Sequence, residues 1–576
     1  MNQKLENILN VSLDATEDEL RKADSLSTGY SWRDNTWEII VKYSGSLESI
    51  RNRYNVYIKE LLNYYAIIVA DKATIELISQ EDVIDYVEKP KSLYYQIERT
   101  KTAACVGSVR ADGNILSGKG VIVGVIDTGI DIFDNAFRNS DGTTRILNIY
   151  DQTTGEKYDK QSIDEYIRLN EDLSGGTFSY DNAPGVDNIM HGTDVSYIAA
   201  GSLGVAYEAD IIAVKMGYSI NNQFPRTTSL MDAIDYIIRK AIEYRKPVAV
   251  NISYGCNYGA HNGNTLLESF IDDISKSYRC VICVGSGNEA DKAIHFGGII
   301  NTGQVQTAYL SVGEYQSAID IQIWKNYWDT IDVMLINPRG EQIGIITEGR
   351  INRYETYNTE IITLLGEPFP YNIYQEIYIN LIPKTDYILS GIWQIVLMAG
   401  SIRAGEYNIW LPSSQALGYA TAFNNPTADG TITIPATARN CIAVGAYNAY
   451  TNSYAAFSGR GFDNSIRNVN AGVKPDITAP GVDISIARQR GNDITYRNVT
   501  GTSYAVPVVT GAAALLMQWG IVMGNDRFMY GEKLKAALID GSKPVGLVGI
   551  TRNDNQPDPR TGWGAVCLKN TLNKIL

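Results

Sequence analysis

The chain has 576 residues, 44% of them apolar and 20% charged, an ordinary balance for a globular protein. That length suits about three or four domains around a large buried core, with no need of disulfides or metals to hold it. Lys plus Arg is 50 against 64 Asp plus Glu, a net charge of −14, which argues against nucleic acid or an anionic membrane as the main partner.

The first residues, MNQKLENILNVSLDATEDELRKAD, mix charges of both signs with short apolar runs. They lack the uninterrupted apolar stretch and small-residue cleavage site of a signal peptide. No later segment reaches about 18 apolar residues in a row, so no membrane span is expected. The expected location is cytoplasmic. The six cysteines, at 105, 256, 280, 283, 441 and 567, are scattered, which fits a reduced compartment. Cys280 and Cys283 form a C-x-x-C inside the apolar run CVICVG. They read as two buried strand residues pointing to opposite faces.

Four regions follow along the chain. Residues 1–96 read as a helix near 16–25, a strand at 37–45 and a helix over SLESIRNRY. A strand at 61–70, a helix at 73–80 and a strand at 82–90 complete a β-α-β-α-β order, which fits a split-βαβ unit. Residues 97–300 carry continuous apolar strands: VIVGVIDTG, ADIIAVKMG, PVAVNISYG and CVICVGSGN. Helical stretches lie between them, the pattern of an α/β domain with a buried parallel sheet. Residues 301–425 break the alternation with many short strands, an all-β insert of sandwich or jelly-roll type. Residues 426–576 return to α/β, with CIAVGAYN, KPDITAPG and the segment around Ser503.

Nucleophilic hydrolysis by serine needs a hydroxyl, a base near neutral pKa, an acid that orients the base, and donors for the oxyanion. Only His titrates near neutrality, and the chain has three: His191, His261 and His295. His191 opens H-G-T-D-V-S-Y-I-A-A-G, where the following Gly permits close approach of another loop. A solvent-exposed helix cap is an equal reading of that motif alone. Asp127 ends a buried strand in V-G-V-I-D-T-G, at the carboxyl end where parallel sheets react, or else simply turns the chain. D-T-G also marks aspartic proteases, but their mechanism needs two carboxylates and one D-T-G occurs here. Ser503 lies in N-V-T-G-T-S-Y-A-V-P, a turn into a small-residue helix whose first turn offers free N–H groups; it also reads as a plain N-cap. Pro507 is expected within about the first turn. Asn288, in V-G-S-G-N-E, ends another strand as an oxyanion donor or a turn residue.

Taken together, D-T-G, H-G-T, G-N and G-T-S-x-A-x-P, in the order Asp, His, Asn, Ser, resemble the subtilases. The resemblance covers about 110–300 and 430–570. It implies that Asp127 orients, His191 acts as base then acid, Ser503 is the nucleophile and Asn288 helps form the oxyanion hole. It also implies that Ser253, Tyr254 and Gly255 line the substrate cleft as an edge strand. Tyr504, Val506, Tyr207 and Tyr254 depart from the usual residues, and none of them removes a reacting atom. RNSDGTTRILNIYDQT, LLMQWGIVMGND and MYGEKLKAALI are similar to clostridial subtilases of the Csp spore-germination group. That resemblance implies an N-terminal prodomain with a ferredoxin-like fold, cut by the enzyme itself between Leu93 and Thr102 and retained afterwards, protein or peptide substrates, and a spore-associated location as the alternative to a cytoplasmic one. No cofactor and no metal site are expected, since no acidic cluster has EF-hand spacing. The alternatives are a pseudoprotease that binds or signals on the same scaffold, and a protease active only in self-cleavage.

Overall fold

The structure is a computed structural model. It describes residues 2–92, 94–95, 110–111, 114–173, 183–217, 224–347, 349–462, 472–490, 493–546 and 557–576.

The N-terminal unit is built on an antiparallel sheet. Strand Thr36–Tyr43 pairs with Tyr65–Ala70 on one side and Ile84–Glu88 on the other, and Tyr65–Ala70 pairs onward with Tyr57–Glu60. Helices Glu48–Tyr54 and Lys72–Ile78 make the crossovers. With Tyr30–Ser31 also paired to Thr36–Tyr43, the sheet has five strands, two more than the sequence reading, and the order from Thr36 onward is β-α-β-β-α-β. The single strand expected over 61–70 is a hairpin arm, its turn made by left-handed residues Asn63 and Tyr64. Its partner, Tyr57–Glu60, is a short and mostly solvated edge, so it carries no apolar signal. Helix Glu17–Lys22 lies where a helix was expected, started by a capping box between Thr16 and Glu19. Helix Asn7–Asp14 was not anticipated.

The central sheet runs, in spatial order, Glu156–Asp159, Ile146–Asp151, Asp210–Lys215, Ile122–Asp127, Val248–Ile252, Cys280–Gly285, Ile442–Asn448, with Ile477–Pro480 also on the last strand. Every neighbouring pair from Ile146–Asp151 to Ile477–Pro480 is parallel. The sequence reading found five of these strands but not Ile146–Asp151, whose ILNIYD mixes polar residues into the run. Side chains alternate between two cores. Val123, Val125 and Cys283 face the helices His191–Ala200 and Thr502–Met517. Ile122, Ile126 and Cys280 face Thr227–Tyr244 and Leu266–Ser277. The C-x-x-C is thus split across the sheet, as the period of two requires. Helix Thr502–Val522 is long and apolar enough to cross a membrane, but 83% of its most apolar stretch is buried inside the protein.

Between Cys280–Gly285 and Ile442–Asn448 the chain forms two antiparallel sheets. One orders His295–Ile299, Glu406–Trp410, Ile319–Asn326, Tyr374–Pro383, Thr359–Leu365 and Ile351–Glu355. The other orders Gln342–Ile343, Ile331–Ile336, Gly391–Ala399, Val305–Val312 and Ala422–Phe423. Ile321, Ile379 and Leu381 from the first meet Leu310, Val333 and Ile395 from the second in one core.

The N-terminal unit touches both neighbours. Ile40, Tyr65, Ile67 and Tyr86 enter the core against helices Thr227–Tyr244 and Leu266–Ser277. Tyr65 meets Phe270 edge-on, with ring centroids 5.2 Å apart. Its other face shares a core with Ile362, Leu364, Tyr378 and Ile382 of the two-sheet unit. Across that second boundary Asn7 donates to Glu376 at 3.1 Å and Arg353 pairs with Asp14 at 2.9 Å.

Candidate active site

Three strand ends and two helix starts meet at the carboxyl edge of the central sheet. Asp127 is the last residue of its strand and His191 the first of its helix, both 1% exposed. His191 Nδ1 lies 2.6 Å from Asp127 Oδ1, which also accepts the Thr128 N–H at 2.8 Å. The Gly after His191 makes this approach possible: a Cβ at Gly192 would stand 2.3 Å from Gly129 O and 2.9 Å from Asp127 Cβ. Burial pulls the His191 pKa down, but the Asp127 carboxylate, helped by Asp194 and Asp187, more than offsets it and holds the ring above the ordinary imidazole value.

Asp187 stitches the two loops together and was not singled out from the sequence. Its carboxylate accepts Thr128 Oγ1 at 2.7 Å and the N–H and hydroxyl of Thr193, both at 2.8 Å. Thr128 Oγ1 in turn accepts the Gly192 N–H at 2.9 Å. The signal was an Asp four residues before a helix-opening His, which binds the Met190 N–H at 2.7 Å as a turn would.

Ser503 is the second residue of helix Thr502–Met517 and fully buried. Its neighbours fix its surroundings: the Tyr504 ring lies 5.2 Å from the His191 ring, and Thr502 binds Asn288. Pro507 is the sixth residue of that helix, in its second turn. It cannot donate to the carbonyl four residues back, which is that of Ser503. Ser253 Oγ approaches that carbonyl at 3.3 Å and itself accepts from Asn251 Nδ2 at 3.1 Å. The Ser253 hydroxyl is thus engaged within the protein, and the Tyr254 ring is fully buried in the core.

Asn288 Oδ1 accepts the Thr502 N–H at 3.0 Å and its hydroxyl at 3.1 Å. That fixes the amide orientation, and Nδ2 is buried with no partner among the described residues. An unmatched buried donor is costly unless a ligand uses it.

The other histidines do not enter the site. His261 Nδ1 meets the Ile432 carbonyl at 2.6 Å, and its ring stacks on Trp410 with centroids 4.2 Å apart. His295 stacks on the same indole at 4.9 Å and meets Asn408 Oδ1 at 3.0 Å. Burial pushes both down to about 4, so both are neutral structural rings. Among the described residues no group of three or more His, Cys, Asp or Glu could hold a metal ion.

The family model described as "Subtilase family" matches residues 118–366 and 404–564. The chain belongs to the subtilase family. The model described as "Csp protease B prodomain" matches residues 3–91, so the N-terminal unit of this subtilase is a prodomain. The solved CspB protease of Clostridium perfringens is similar at 34% identity, over 80% of this chain and 94% of that one, with a TM-score of 0.71. The Subtilase-type proteinase RRT12 of Saccharomyces cerevisiae is 33% identical over 128 residues, 22% of this chain and 23% of its own length. Subtilisin-like protease 10 of Arthroderma otae is 34% identical over 120 residues, 21% of this chain and 27% of its own. The chain spans about a quarter of the length of these two curated relatives.

Beyond the prodomain, the chain of this subtilase lies against the residues that follow strand Val248–Ile252. Lys91 and Thr227 exchange backbone and side-chain bonds at 2.6 and 2.7 Å. Tyr94–Tyr95 then pairs antiparallel with Tyr254–Gly255. The expected cut between Leu93 and Thr102 otherwise lies outside the described residues.

Proposed function

We propose that this subtilase is a serine endopeptidase that hydrolyses peptide bonds in proteins with Asp127, His191 and Ser503 as its triad. The observation that carries the reading is the buried Asp127–His191 bond beside the Ser503 helix. Ser503 Oγ attacks the peptide carbonyl while His191 Nε2 takes its proton, and Asp127 holds Nδ1–H and stabilises the imidazolium. The Asn288 amide meets the oxyanion of the tetrahedral intermediate. His191 returns the proton to the leaving amine, and water then releases the acyl group by the same steps. The backbone of Ser253–Gly255 pairs with the substrate as an added strand, a reading supported by its pairing with Tyr94–Tyr95. Self-processing of the prodomain and activation of a spore or cellular proenzyme are the proposed roles, the second from the Csp resemblance.

A fluorophosphonate, which reacts with an assembled serine nucleophile, is the direct test. It is expected to label wild type on Ser503 and to leave Ser503→Ala and His191→Ala unlabelled. An unlabelled wild type would favour the pseudoprotease. The cleft edge already holds the chain's own Tyr94–Tyr95, which favours a second reading in which activity stops at self-cleavage. Turnover of an added unfolded protein separates the two.

Two further results are expected. Asn288→Ala lowers kcat by about 10²–10³-fold with little change in KM, because the donor acts on charge that exists only in the transition state. The acid limb of the pH–rate profile lies above the ordinary imidazole value: His191 must be neutral to accept the proton, and its carboxylate neighbours keep it protonated to higher pH. A limb at or below that value would remove His191 as the base.

A further inference from the structure

The hairpin of strands Ile484–Arg490 and Asp493–Val499 lies over the helix that begins with His191. It reaches that helix with arginines. Arg488 Nε donates to Asp194 Oδ1 at 2.9 Å, and its Nη2 donates to the same oxygen and, at 3.0 Å, to the Met190 carbonyl. Arg497 Nε lies 3.3 Å from Asp194 Oδ2. Arg490 pairs with Asp131, four residues after the triad aspartate, at 2.6 Å. Asp194 is wholly buried, and the Arg488 side chain is only 13% exposed.

Met190 needs such a hold. It precedes His191 in the left-handed region, at φ 67°, without being a glycine. A residue there persists only when its surroundings over-determine it. Arg488 grips the chain on both sides of His191, at the carbonyl before it and at the carboxylate three residues after it.

We propose that Arg488, with Arg497 and Asp194, is a positioning clamp on the general base: the hairpin holds the first turn of the His191 helix so that the ring meets Asp127. The inference rests on the triad reading and deepens it. None of the three residues is catalytic, since each acts through His191. A structural tie alone would not alter proton affinity, but this clamp also sets charge. The groups facing His191 are Asp127, Asp187 and Asp194. Those facing Asp194 are Arg488, Arg497 and His191, and Tyr504 lies within reach of Asp194, Asp127 and Arg497. Asp194 favours the imidazolium, and the arginines moderate it.

The test reads the rate of fluorophosphonate reaction at Ser503 against pH, in the full chain, which requires no knowledge of the natural substrate. Asp194→Asn removes a negative charge that faces His191 and leaves Arg488 and Arg497 with no carboxylate at that position, so the acid limb moves down by about 0.5–1 pH unit. Arg488→Met leaves the Asp194 charge less opposed, so the limb moves up by a similar amount and the limiting rate falls about tenfold. Arg488→Lys restores the limb but only part of the rate, because an ammonium cannot span two acceptors as the guanidinium fork does. Should Arg488→Met fail to fold, Arg497→Gln, at a side chain 39% exposed, carries the same sign with a smaller shift. Limbs unchanged from wild type in folded Asp194→Asn and Arg497→Gln overturn the clamp while leaving the triad standing. A wild type that does not react at all overturns the triad instead.

Discussion

Ser503→Ala is expected to purify as one full-length chain, whereas wild type runs as two fragments that co-purify. The end of the prodomain lies against the edge proposed to pair with substrate. Strand Ile84–Glu88 leads through the Lys91–Thr227 contact to Tyr94–Tyr95, which lies antiparallel on Tyr254–Gly255. A segment laid along that edge strand is held as a substrate would be, in the molecule that carries Ser503. Effective concentrations for such intramolecular arrangements reach about 10⁵ M or more, so cleavage should be fast and independent of dilution. Mass spectrometry of both proteins, prepared without added protease, reads the result. A cut at the same bond in Ser503→Ala would show that another enzyme makes it.

Lys91→Ala is expected to release the cut prodomain. Lys91 is 5% exposed and ion-paired to Glu6 at 2.7 Å and Glu88 at 2.6 Å. The second oxygen of Glu88 accepts the Leu266 N–H at 2.7 Å, so a prodomain carboxylate satisfies an orphan donor at the start of a catalytic-domain helix. Without the ammonium, Glu6 and Glu88 face each other with no cation bridging them. Breaking a buried pair this way costs about 3–5 kcal/mol, far more than an exposed pair would. Wild type should therefore elute from size exclusion as one complex and Lys91→Ala as two species, with a lower Tm. Arg21→Ala, whose pair with Glu17 is exposed on both sides, should behave as wild type. Co-elution of the Lys91→Ala fragments at wild-type stability would place the docking energy in the apolar face around Tyr65 and Ile67 instead.

The sequence by itself determined the α/β core and the all-β character of the middle region, and it singled out the candidate residues of the site. Buried parallel strands must be continuously apolar, and a β-sheet's alternation separates Cys280 from Cys283; both are local properties of the chain. Asp127, His191, Asn288 and Ser503 were legible because strand ends and helix starts announce themselves through Gly, Thr and small residues. What local pattern could not carry was found in space. The strand Tyr57–Glu60 is a solvated edge, and Ile146–Asp151 carries polar residues, so neither shows the expected period. The depth of Pro507 in its helix is acceptable because Ser253, 250 residues away in sequence, approaches the carbonyl it leaves open. Asp187, Asp194 and Arg488 are ordinary charged residues in the sequence. They gain their roles only because folding buries their charges against one another around one histidine, where loss of water turns weak surface preferences into strong, directional contacts.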